Sequence, residues 1–465
     1  MPREVIFVQV GQCGNQIGCR FWDQALHEHA QHSKHSDTYD FSMSSFFQNH
    51  TSYGSDGRCI AEVGAKISAL KARAVLVDME EGVVNRVMRS QLGSIFDDMQ
   101  YVTAVSGCGN NWAHGHMECG PEYRELLLEK VRRQAEACDS LQSFFFLHSI
   151  GGGTGSGLGT YLLGQLRDEY PDVYRFSTAI FPSENDDVIT SPYNAFFALN
   201  ELRKHADCVF PMENEALQRL SQRQLEQAQR NQHSSPTRKS HRKGTKTTAR
   251  AMKAMSQGLP SSSVSAAIKN KGSSMAGSST NHSADSDSPD MSREEAFAHM
   301  NSMAAQLLLD LTSSMRFKGS LNIDLNEITT NLVPFSGGLH FLNASFAPLV
   351  ALPEVPGKSN AQSLTETLSS RGGVMRQKRL MSLFSELFSA RNQLITLDSN
   401  RSQHLAVALL ARGDISVSEI QQNVERLHAQ LPMVSGCFGA QTLVHYLINS
   451  AFCRHDPGAM ELRRI

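Results

Sequence analysis

A glycine-rich heptapeptide, Gly151–Gly157 with the sequence GGGTGSG, constrains this chain more than any other segment. An apolar strand-like run, Ser143–Leu147, precedes it, and a helix-like run, Leu158–Tyr170, follows it. Glycines let a backbone approach a phosphate closely, and a helix N-terminus offers free N–H groups and a positive dipole. Thr154 and Ser156 add hydroxyl donors. The segment therefore predicts a phosphate-binding loop.

Two other phosphate-binding motifs fit this segment poorly. A P-loop requires a lysine after its last glycine, and this chain has Leu158 there. The dinucleotide motif G-x-G-x-x-G would place its last glycine at Leu158 or Thr160, and it belongs after the first strand. A flexible turn is the remaining alternative, and five glycines at a strand–helix junction disfavour it.

Strand-like and helix-like runs alternate through the first part of the chain. The strand-like runs are Glu4–Val10, Ala74–Val77, Ser143–Leu147 and Arg175–Phe181, and helix-like runs include Ile17–Ala30 and Pro192–His205. This alternation predicts a doubly wound α/β fold with a parallel sheet. Ligands of such sheets bind at the carboxyl ends of the strands.

The composition changes in residues 222–292, which are rich in polar and basic residues and poor in bulky apolar ones. This predicts disorder. Between Gln227 and Ala284 there are ten Lys or Arg residues and no Asp or Glu. The segment is either a solvated linker or a contact for acidic partners. It has no aromatic residue for base stacking, so we do not expect nucleic-acid binding.

Composition also bears on the compartment. No apolar run approaches the roughly 20 residues that span a bilayer, so no membrane segment is expected. The nine cysteines are scattered and never spaced as C-x-x-C, which favours free thiols in a reducing compartment.

Beyond the basic segment, Glu294–Phe317 has apolar residues at helical spacing and predicts a long core helix.

Several segments together resemble the tubulin family, most closely its epsilon branch. GGGTGSG is the tubulin signature. Its companions occur in tubulin order: Gln12 after the first strand, Asp78 and Glu80 after the second, GCGNN at Gly107–Asn111, then Ser149, Asn214 and Asn301. FWDQALHEHA, DDVITSPYNA and the basic insertion resemble the epsilon branch in particular. The resemblance covers residues 1 to about 435.

The resemblance implies GTP or GDP and Mg²⁺ as ligands. Phe297 stands where tubulins stack a tyrosine on the base, and Asp187 is the candidate ribose contact because Ser191 replaces the family's glutamate. The implied nucleotide-binding residues are Gln12, Cys13, Gly109, Asn110, Ser149, Gly151, Gly152, Gly153, Thr154, Gly155, Ser156, Gly157, Asp187, Asn214, Phe297 and Asn301; the implied Mg²⁺ ligands are Gln12, Asp78 and Glu80.

A second motif, GSLNIDLNE at Gly319–Glu327, resembles the tubulin loop G-x-x-N-x-D-x-x-E. In tubulins this loop contacts the nucleotide of the next subunit, and a carboxylate there can orient or deprotonate the attacking water. The resemblance thus implies catalytic roles for Asp324 and Glu327 on a neighbour's GTP. The alternative is an acidic pair that caps a helix.

The implied fold is tubulin/FtsZ-like α/β, with a doubly wound parallel-sheet GTP-binding domain, a long core helix and a second α/β domain. We predict segments at 1–221 (GTP-binding domain), 222–292 (disordered basic insertion), 293–330 (core helix and catalytic loop), 331–435 (second, intermediate domain) and 436–465 (divergent tail). In the tail, the family's last strands and paired C-terminal helices are expected to be missing. An insertion at Val355–Arg376 falls where tubulins make lateral contacts.

The resemblance implies a structural component of the microtubule cytoskeleton that acts in centriole and basal-body assembly. It implies a location in the cytoplasm, at centrosomes, centrioles and basal bodies. The implied partners are alpha-, beta- and delta-tubulin, through longitudinal contacts, and centriolar proteins. The alternative is a polymerising GTPase whose Glu327 drives hydrolysis in the adjacent subunit. A third, remote alternative is an NAD-dependent oxidoreductase, which would have to retain NAD over guanine nucleotides.

Overall fold

The computed structural model describes residues 3–32, 38–51, 59–183, 186, 188–233, 293–317, 324–335, 337–347, 373–397, 404–413, 415–430, 444–449 and 460–464. The predicted ribose contact Asp187 lies outside the described residues. So do residues 234–292 of the basic insertion, residues 319–323 of the second motif and residues 355–372 of the predicted loop insertion.

The larger sheet consists of six parallel strands: β1 (Glu4–Val10), β5 (Ala74–Asp78), β6 (Tyr101–Thr103), β7 (Leu141–Ser149), β8 (Tyr174–Phe181) and β9 (Cys208–Glu213). Their order is β6-β5-β1-β7-β8-β9. Every residue of β1 and β5 is buried, as expected of parallel strands that are covered on both faces. The predicted parallel α/β sheet is therefore confirmed. Between β1 and β5 the chain forms a small antiparallel sheet of β2 (Phe47–Thr51), β3 (Cys59–Ile60) and β4 (Ala69–Ala72).

Helices pack on both faces of the larger sheet. They are α1 (Gly11–His32), α3 (Glu81–Arg89), α4 (Gly120–Glu136), α5 (Gly159–Glu169), α6 (Ser191–His205), α7 (Asn214–His233) and α8 (Arg293–Arg316); the short helix α2 (Phe41–Ser44) contacts β2 and α8 instead. Successive side chains of a strand point to opposite faces. Accordingly Phe7 packs in the core that contains α1, α3, α7 and α8, whereas Val8 packs in the core that contains α4, α5 and α6. Among the described helices, none is long and apolar enough to cross a lipid bilayer.

The strand order fixes where a ligand can enter. From β1 the chain proceeds outward to β5 and β6 on one side, and then to β7, β8 and β9 on the other. In open α/β sheets a crevice forms where the order reverses, outside the carboxyl ends of the strands. That point lies here between β1 and β7. The segments that follow these two strands are Gly11 at the start of α1 and the glycine-rich loop.

The second unit follows α8 and α9 (Leu325–Leu332). Its four-stranded sheet consists of β10 (Ser345–Ala347), β11 (Val407–Gly413), β12 (Val444–Asn449) and β13 (Met460–Arg464), in the order β10-β13-β11-β12. Two helices, Gly373–Leu387 and Val417–Gln430, accompany it, and side chains of both pack with β11. We expected the family's last strands to be missing after residue 435, and the structure has two strands in this part of the chain: β12 pairs parallel to β11, and β13 pairs antiparallel to β10 and β11.

The predicted start of disorder at residue 222 also differs from the structure. Helix α7 begins at Asn214 and continues to His233, so the first twelve residues of the segment are helical. Leu217 and Leu220 are buried in the core and anchor the helix. The Gln, Arg, Leu, Glu and Ala residues that follow are good helix formers, and they extend it.

A buried ionic cluster joins the first unit to the second. Arg316 of α8 lies 2.7 Å from Glu28 of α1, and Arg412 of β11 lies 3.2 Å from the other oxygen of Glu28. Arg412 also lies 2.8 Å from Asp310 of α8. The Arg316 guanidinium packs 5.3 Å from the ring centroid of Phe46. Two arginines and two carboxylates thus balance each other where water is excluded.

We expect Arg412→Met to destabilise the protein because it leaves the carboxylates of Asp310 and Glu28 buried without their shared cation. Breaking a buried pair in this way costs about 3–5 kcal/mol of unfolding free energy. Urea titration monitored by circular dichroism measures the loss. The matched control is Arg132→Met on the exposed face of α4, where ion pairs with Glu129 and Glu136 are solvated and little change is expected. A midpoint shift no larger than that of the control would contradict a structural role for the cluster.

Candidate functional site

The first wall of the site forms where α1 begins directly after β1. Gly11 has a φ of +73°, which glycine adopts without strain. A Cβ atom on Gly11 would lie 3.2 Å from the backbone nitrogen of Gly155. The start of α1 therefore contacts the glycine-rich loop. Gln12 is exposed, and Cys13 is partly buried, with its thiol pKa raised to about 12 by burial.

The glycine-rich loop packs tightly against a second segment, residues 107–115, which follows β6. A Cβ atom on Gly153 would lie 2.7 Å from the carbonyl oxygen of Cys108, and one on Gly157 would lie 2.5 Å from that of Trp112. From the other side, a Cβ atom on Gly115 would lie 2.6 Å from the carbonyl oxygen of Gly153. Real Cβ atoms do not approach a backbone this closely. These contacts therefore require glycine at all three positions.

Two π-helical turns lead out of these segments. Thr154–Leu158 precedes α5, and His114–Cys119 precedes α4. In the segment 107–115, Gly109 and Asn110 both have positive φ, at 54° and 51°, and both are exposed. A Cβ atom on Gly109 would meet no atom within 4 Å, so this residue faces open space. Both segments therefore have irregular backbone where they border the crevice.

Asn194, near the start of α6, ties the two segments together. Its buried side chain donates to the carbonyl oxygens of Asn110 at 2.8 Å and Gly151 at 2.9 Å. Its Oδ1 accepts from the backbone N–H of Trp112 at 2.8 Å. Thr190 adds a bond of 2.7 Å to the Asn110 carbonyl. Sequence reasoning missed Asn194, because an asparagine in a helix forms no pattern and its partners are 43 and 84 residues away.

The hydroxyl groups around the loop mostly hold the loop itself. The Ser156 hydroxyl is buried and donates to the carbonyl of Gly152, which differs from its predicted use as a phosphate donor. The Ser149 hydroxyl accepts from the N–H of Gly151 at 3.2 Å. Thr154 is partly exposed. The groups of the loop that remain available to donate to a phosphate are therefore its other backbone N–H groups and the Thr154 hydroxyl.

His148 supports the loop from beneath, and the sequence analysis did not single it out. It is the penultimate residue of β7, and its Nδ1 donates to the carbonyl of Gly155 at 2.9 Å. Its Nε2 accepts from the Ser177 hydroxyl at 2.8 Å. Complete burial lowers the pKa of His148 to about 4, so the ring is neutral at physiological pH. A neutral imidazole can donate with one nitrogen and accept with the other, as this position requires.

The predicted magnesium ligands lie at the end of β5. Asp78 Oδ1 accepts from the N–H of Glu80 at 3.3 Å, while its buried Oδ2 has no hydrogen-bond partner among the described residues. Asn15 of α1 donates to the carbonyls of Val77 at 3.2 Å and Gly11 at 2.9 Å, and so holds this strand end against α1. Glu80 is exposed. Burial raises the pKa of Asp78 to about 6, and the nearby carboxylate of Glu80 adds to the rise.

These groups fit a magnesium ion that also binds phosphates and water. Mg²⁺ prefers oxygen ligands and is commonly held by one or two carboxylates together with substrate phosphates. Asp78 and Glu80 supply carboxylates, and Gln12 supplies an amide oxygen at the neighbouring strand end. Within the described ranges, no cluster of three His, Cys, Asp or Glu side chains forms a protein-only metal site.

The residues predicted to bind a base lie on α7 and α8. Asn214 is partly buried and begins α7 at the carboxyl end of β9. Helix α8 packs against α7 and carries Asn301, which is partly buried, and Phe297, whose side chain is 40% exposed. Next to Gly151, the Ser191 hydroxyl donates to Asp186 at 2.8 Å.

The predicted catalytic residues lie at the amino ends of the strands, on the side of the sheet opposite the crevice. Asp324 immediately precedes α9 and pairs with Arg3 at 2.7 Å, just before β1. It also accepts from Gln142 of β7 at 3.1 Å. Gln142 and Ser149 are seven positions apart along β7, so the amino end of β7 is about 23 Å from the glycine-rich loop. Glu327 is exposed in the first turn of α9. Neither acid can reach the crevice of its own chain.

We expect Asp78→Asn to raise the melting temperature of the magnesium-free protein at pH 7.5. A raised carboxyl pKa means that the buried charge is unfavourable, and this cost develops as pH rises from about 4 to about 6. The difference between variant and wild type should vanish at pH 4. With nucleotide present, magnesium should stabilise the wild type but not the variant, as measured by thermal denaturation. The control is Asp98→Asn, which removes an exposed carboxylate and should keep the stabilisation by magnesium. If magnesium stabilised wild type, Asp78→Asn and Asp98→Asn equally, the result would count against a metal role for Asp78.

Comparison with known proteins agrees with this arrangement. Residues 4–222 match the Tubulin/FtsZ family, GTPase domain, and residues 338–438 match the Tubulin C-terminal domain. The chain is 44% identical to the tubulin epsilon chain of Mus musculus over 434 residues, which is 92% of this chain and 78% of that protein. It is 44% identical to the tubulin epsilon chain of Homo sapiens over 432 residues, with the same coverage. It is 31% identical to the human tubulin beta-1 chain over 427 residues, which is 91% of this chain and 73% of that protein. The chain belongs to the tubulin family.

Proposed function

We propose that the chain is a GTP-binding tubulin that acts as a structural component of centrioles and basal bodies. The observation that carries the nucleotide assignment is the convergence of two glycine-dependent backbone segments on the crevice between β1 and β7. The similarity to tubulin epsilon chains supports the cytoskeletal role. The proposed location is the cytoplasm, at centrosomes, centrioles and basal bodies.

Each group in the crevice has a proposed task. Backbone N–H groups of residues 152–156 and 109–110 donate to the phosphates, and Asp78, Glu80 and Gln12 hold Mg²⁺, which neutralises phosphate charge when bound. The amides of Asn214 and Asn301 can each present a donor and an acceptor to guanine, and the ring of Phe297 stacks on the base. Asp187 is retained as the proposed ribose contact. Asn194 and His148 touch no ligand in this scheme and act by positioning the two loops.

The partners proposed are other tubulins through longitudinal contacts, with alpha-, beta- and delta-tubulin as candidates, and centriolar proteins. In a head-to-tail arrangement, the amino ends of the strands of one subunit, where α9 begins, face the crevice of the next subunit. The placement of Asp324 and Glu327 opposite their own crevice supports this arrangement. We retain 1–221, 222–292, 293–330, 331–435 and 436–465 as proposed functional segments, although α7 crosses the first boundary.

A second candidate function is a polymerising GTPase, which the exposure of Glu327 favours. Asp324 is already paired with Arg3 and Gln142, so it is held in place and is poorly suited to act as a base. Glu327, in the first turn of α9, faces solvent and is available to a neighbouring subunit. A carboxylate there can orient or deprotonate a water molecule that attacks the neighbour's γ-phosphate.

The nucleotide proposal predicts that purified protein releases GTP or GDP on denaturation, as identified by chromatography. Asn194→Ala should weaken binding of added GTP by roughly 10- to 100-fold, because two carbonyls and one N–H lose a buried partner. Titration followed by tryptophan fluorescence measures the affinity. Trp112 lies in the site and stacks on His116 with a centroid distance of 4.4 Å, whereas Trp22 is buried in the distant core.

Two controls make this experiment decisive. Asn200→Ala removes a bond from the same helix, to Glu201, and should leave GTP affinity unchanged. Trp112→Phe should abolish the fluorescence response while chromatography still detects bound nucleotide. Folded wild-type protein that binds neither GTP nor GDP with magnesium present would refute the proposed function. Retention of NAD instead would revive the oxidoreductase alternative.

Glu327→Ala distinguishes the two candidate functions. If the chain is an active GTPase, assembly-dependent phosphate release should fall about 100-fold or more, because a general base contributes at least that factor. GTP affinity of the unassembled chain should stay the same, since Glu327 lies far from its own crevice. Glu125→Ala on the exposed face of α4 is the matched control. Wild-type protein that binds GTP and assembles without releasing phosphate would reject the GTPase and leave the structural role.

A further inference from the structure

Two buried cysteines lie directly behind the phosphate-binding loops. The sulfur atoms of Cys108 and Cys119 are 3.6 Å apart, with the Cys108 thiol oriented toward the sulfur of Cys119. Their residues are 2% and 6% exposed, and both are free thiols. A disulfide bond is about 2.0 Å long, so the two sulfur atoms need to approach by roughly 1.6 Å to form one.

Both cysteines lie in irregular backbone that borders the crevice. Cys108 lies between Gly107 and Gly109, which have positive φ values of 59° and 54°. Cys119 ends the π-helical turn His114–Cys119, a rare form of helix that occurs mostly as single turns within α-helices. Residues next to each cysteine are exposed, so a small reagent needs only a local opening to reach the thiols.

The same movement is not tolerated by the glycine-rich loop. A Cβ atom on Gly153 would lie 2.7 Å from the carbonyl oxygen of Cys108 and 2.9 Å from its Cβ, so these backbones are already in full contact. Gly109 and Asn110, which are proposed to bind phosphate, follow Cys108 immediately. A shift of Cys108 therefore changes the shape of the crevice that the two segments form.

We propose that Cys108 and Cys119 form a reversible disulfide that lowers nucleotide affinity, an inference that rests on the proposed GTP site. The oxidant is a low-molecular-weight disulfide such as glutathione disulfide. One cysteine thiolate attacks it, forms a mixed disulfide and releases one glutathione thiolate. The second cysteine thiolate then attacks the protein sulfur and releases the other glutathione. Two protein thiols thus lose two electrons and two protons, and one glutathione disulfide becomes two glutathione thiols.

Bound nucleotide should slow this reaction. Burial raises the pKa of Cys108 to about 12, so the thiol is protonated and reacts slowly while the loops are closed. A ligand that holds the loops closed disfavours the open, oxidisable form, and by linkage the disulfide disfavours the ligand. Oxidation and nucleotide binding are therefore mutually antagonistic.

The test equilibrates the full chain in glutathione buffers of increasing oxidising strength, with and without GTP. Free thiols are then alkylated, and peptide mapping by mass spectrometry locates the disulfide. We expect a Cys108–Cys119 cross-link that forms more slowly with GTP and a GTP affinity at least tenfold lower after oxidation. Dithiothreitol should restore the affinity. Cys119→Ser and Cys119→Ala should bind GTP equally well before and after oxidation, while Cys208→Ala, a buried thiol on β9, should respond like wild type.

Either of two results would overturn the proposal. One is the absence of the cross-link under conditions that oxidise other cysteines of the folded chain. The other is a cross-linked protein whose GTP affinity is unchanged. If the reduced protein does not bind GTP at all, the proposed function fails instead. The mapped cross-link and the Trp112 fluorescence then still report whether the thiol pair reshapes the crevice.

Discussion

Contact between bare backbones determines the geometry of the crevice. Gly153 and Gly157 meet the segment 107–115 at distances that leave no space for a side chain, and Gly115 meets them from the other side. Because no flexible side chain lies between them, a displacement of one segment is transmitted directly to the other. Asn194 adds hydrogen bonds to the carbonyls of Asn110 and Gly151, and His148 adds one to the carbonyl of Gly155. The shape of the crevice is therefore set by main-chain contacts rather than by side chains.

Much of the first unit could be predicted from sequence because its elements are local patterns. Continuous apolar runs identified β1, β5, β7 and β8, and helical spacing identified α6 and α8. The glycine-rich loop was evident because its five glycines are adjacent in sequence and lie between a strand and a helix. The fold class followed from the alternation of these elements, and both the sheet order and the family comparison confirm it.

The parts that sequence reasoning missed depend on contacts between distant residues. Asn194 acquires its role only when the segments that follow β6 and β7 meet in the folded chain. The end of α7 depends on two core leucines that stabilise the preceding turns, whereas composition alone suggested disorder from residue 222. Strand β13, MELRR, contains few apolar residues, and pairing with β10 and β11 makes it a strand. Local composition carries no information on such pairing.

Helix α1 connects the two ends of this architecture as one continuous rod. It begins at Gly11, against the glycine-rich loop, and carries Glu28 into the ionic cluster with Arg316 and Arg412. These positions are 17 residues apart, or roughly 26 Å along the axis. A tilt of α1 at its Gly11 end would separate Glu28 from Arg316 and Arg412, whose side chains are buried. Helix α1 therefore links the packing of Gly11 against the glycine-rich loop to the position of Glu28 in the ionic cluster that joins the first unit to the second.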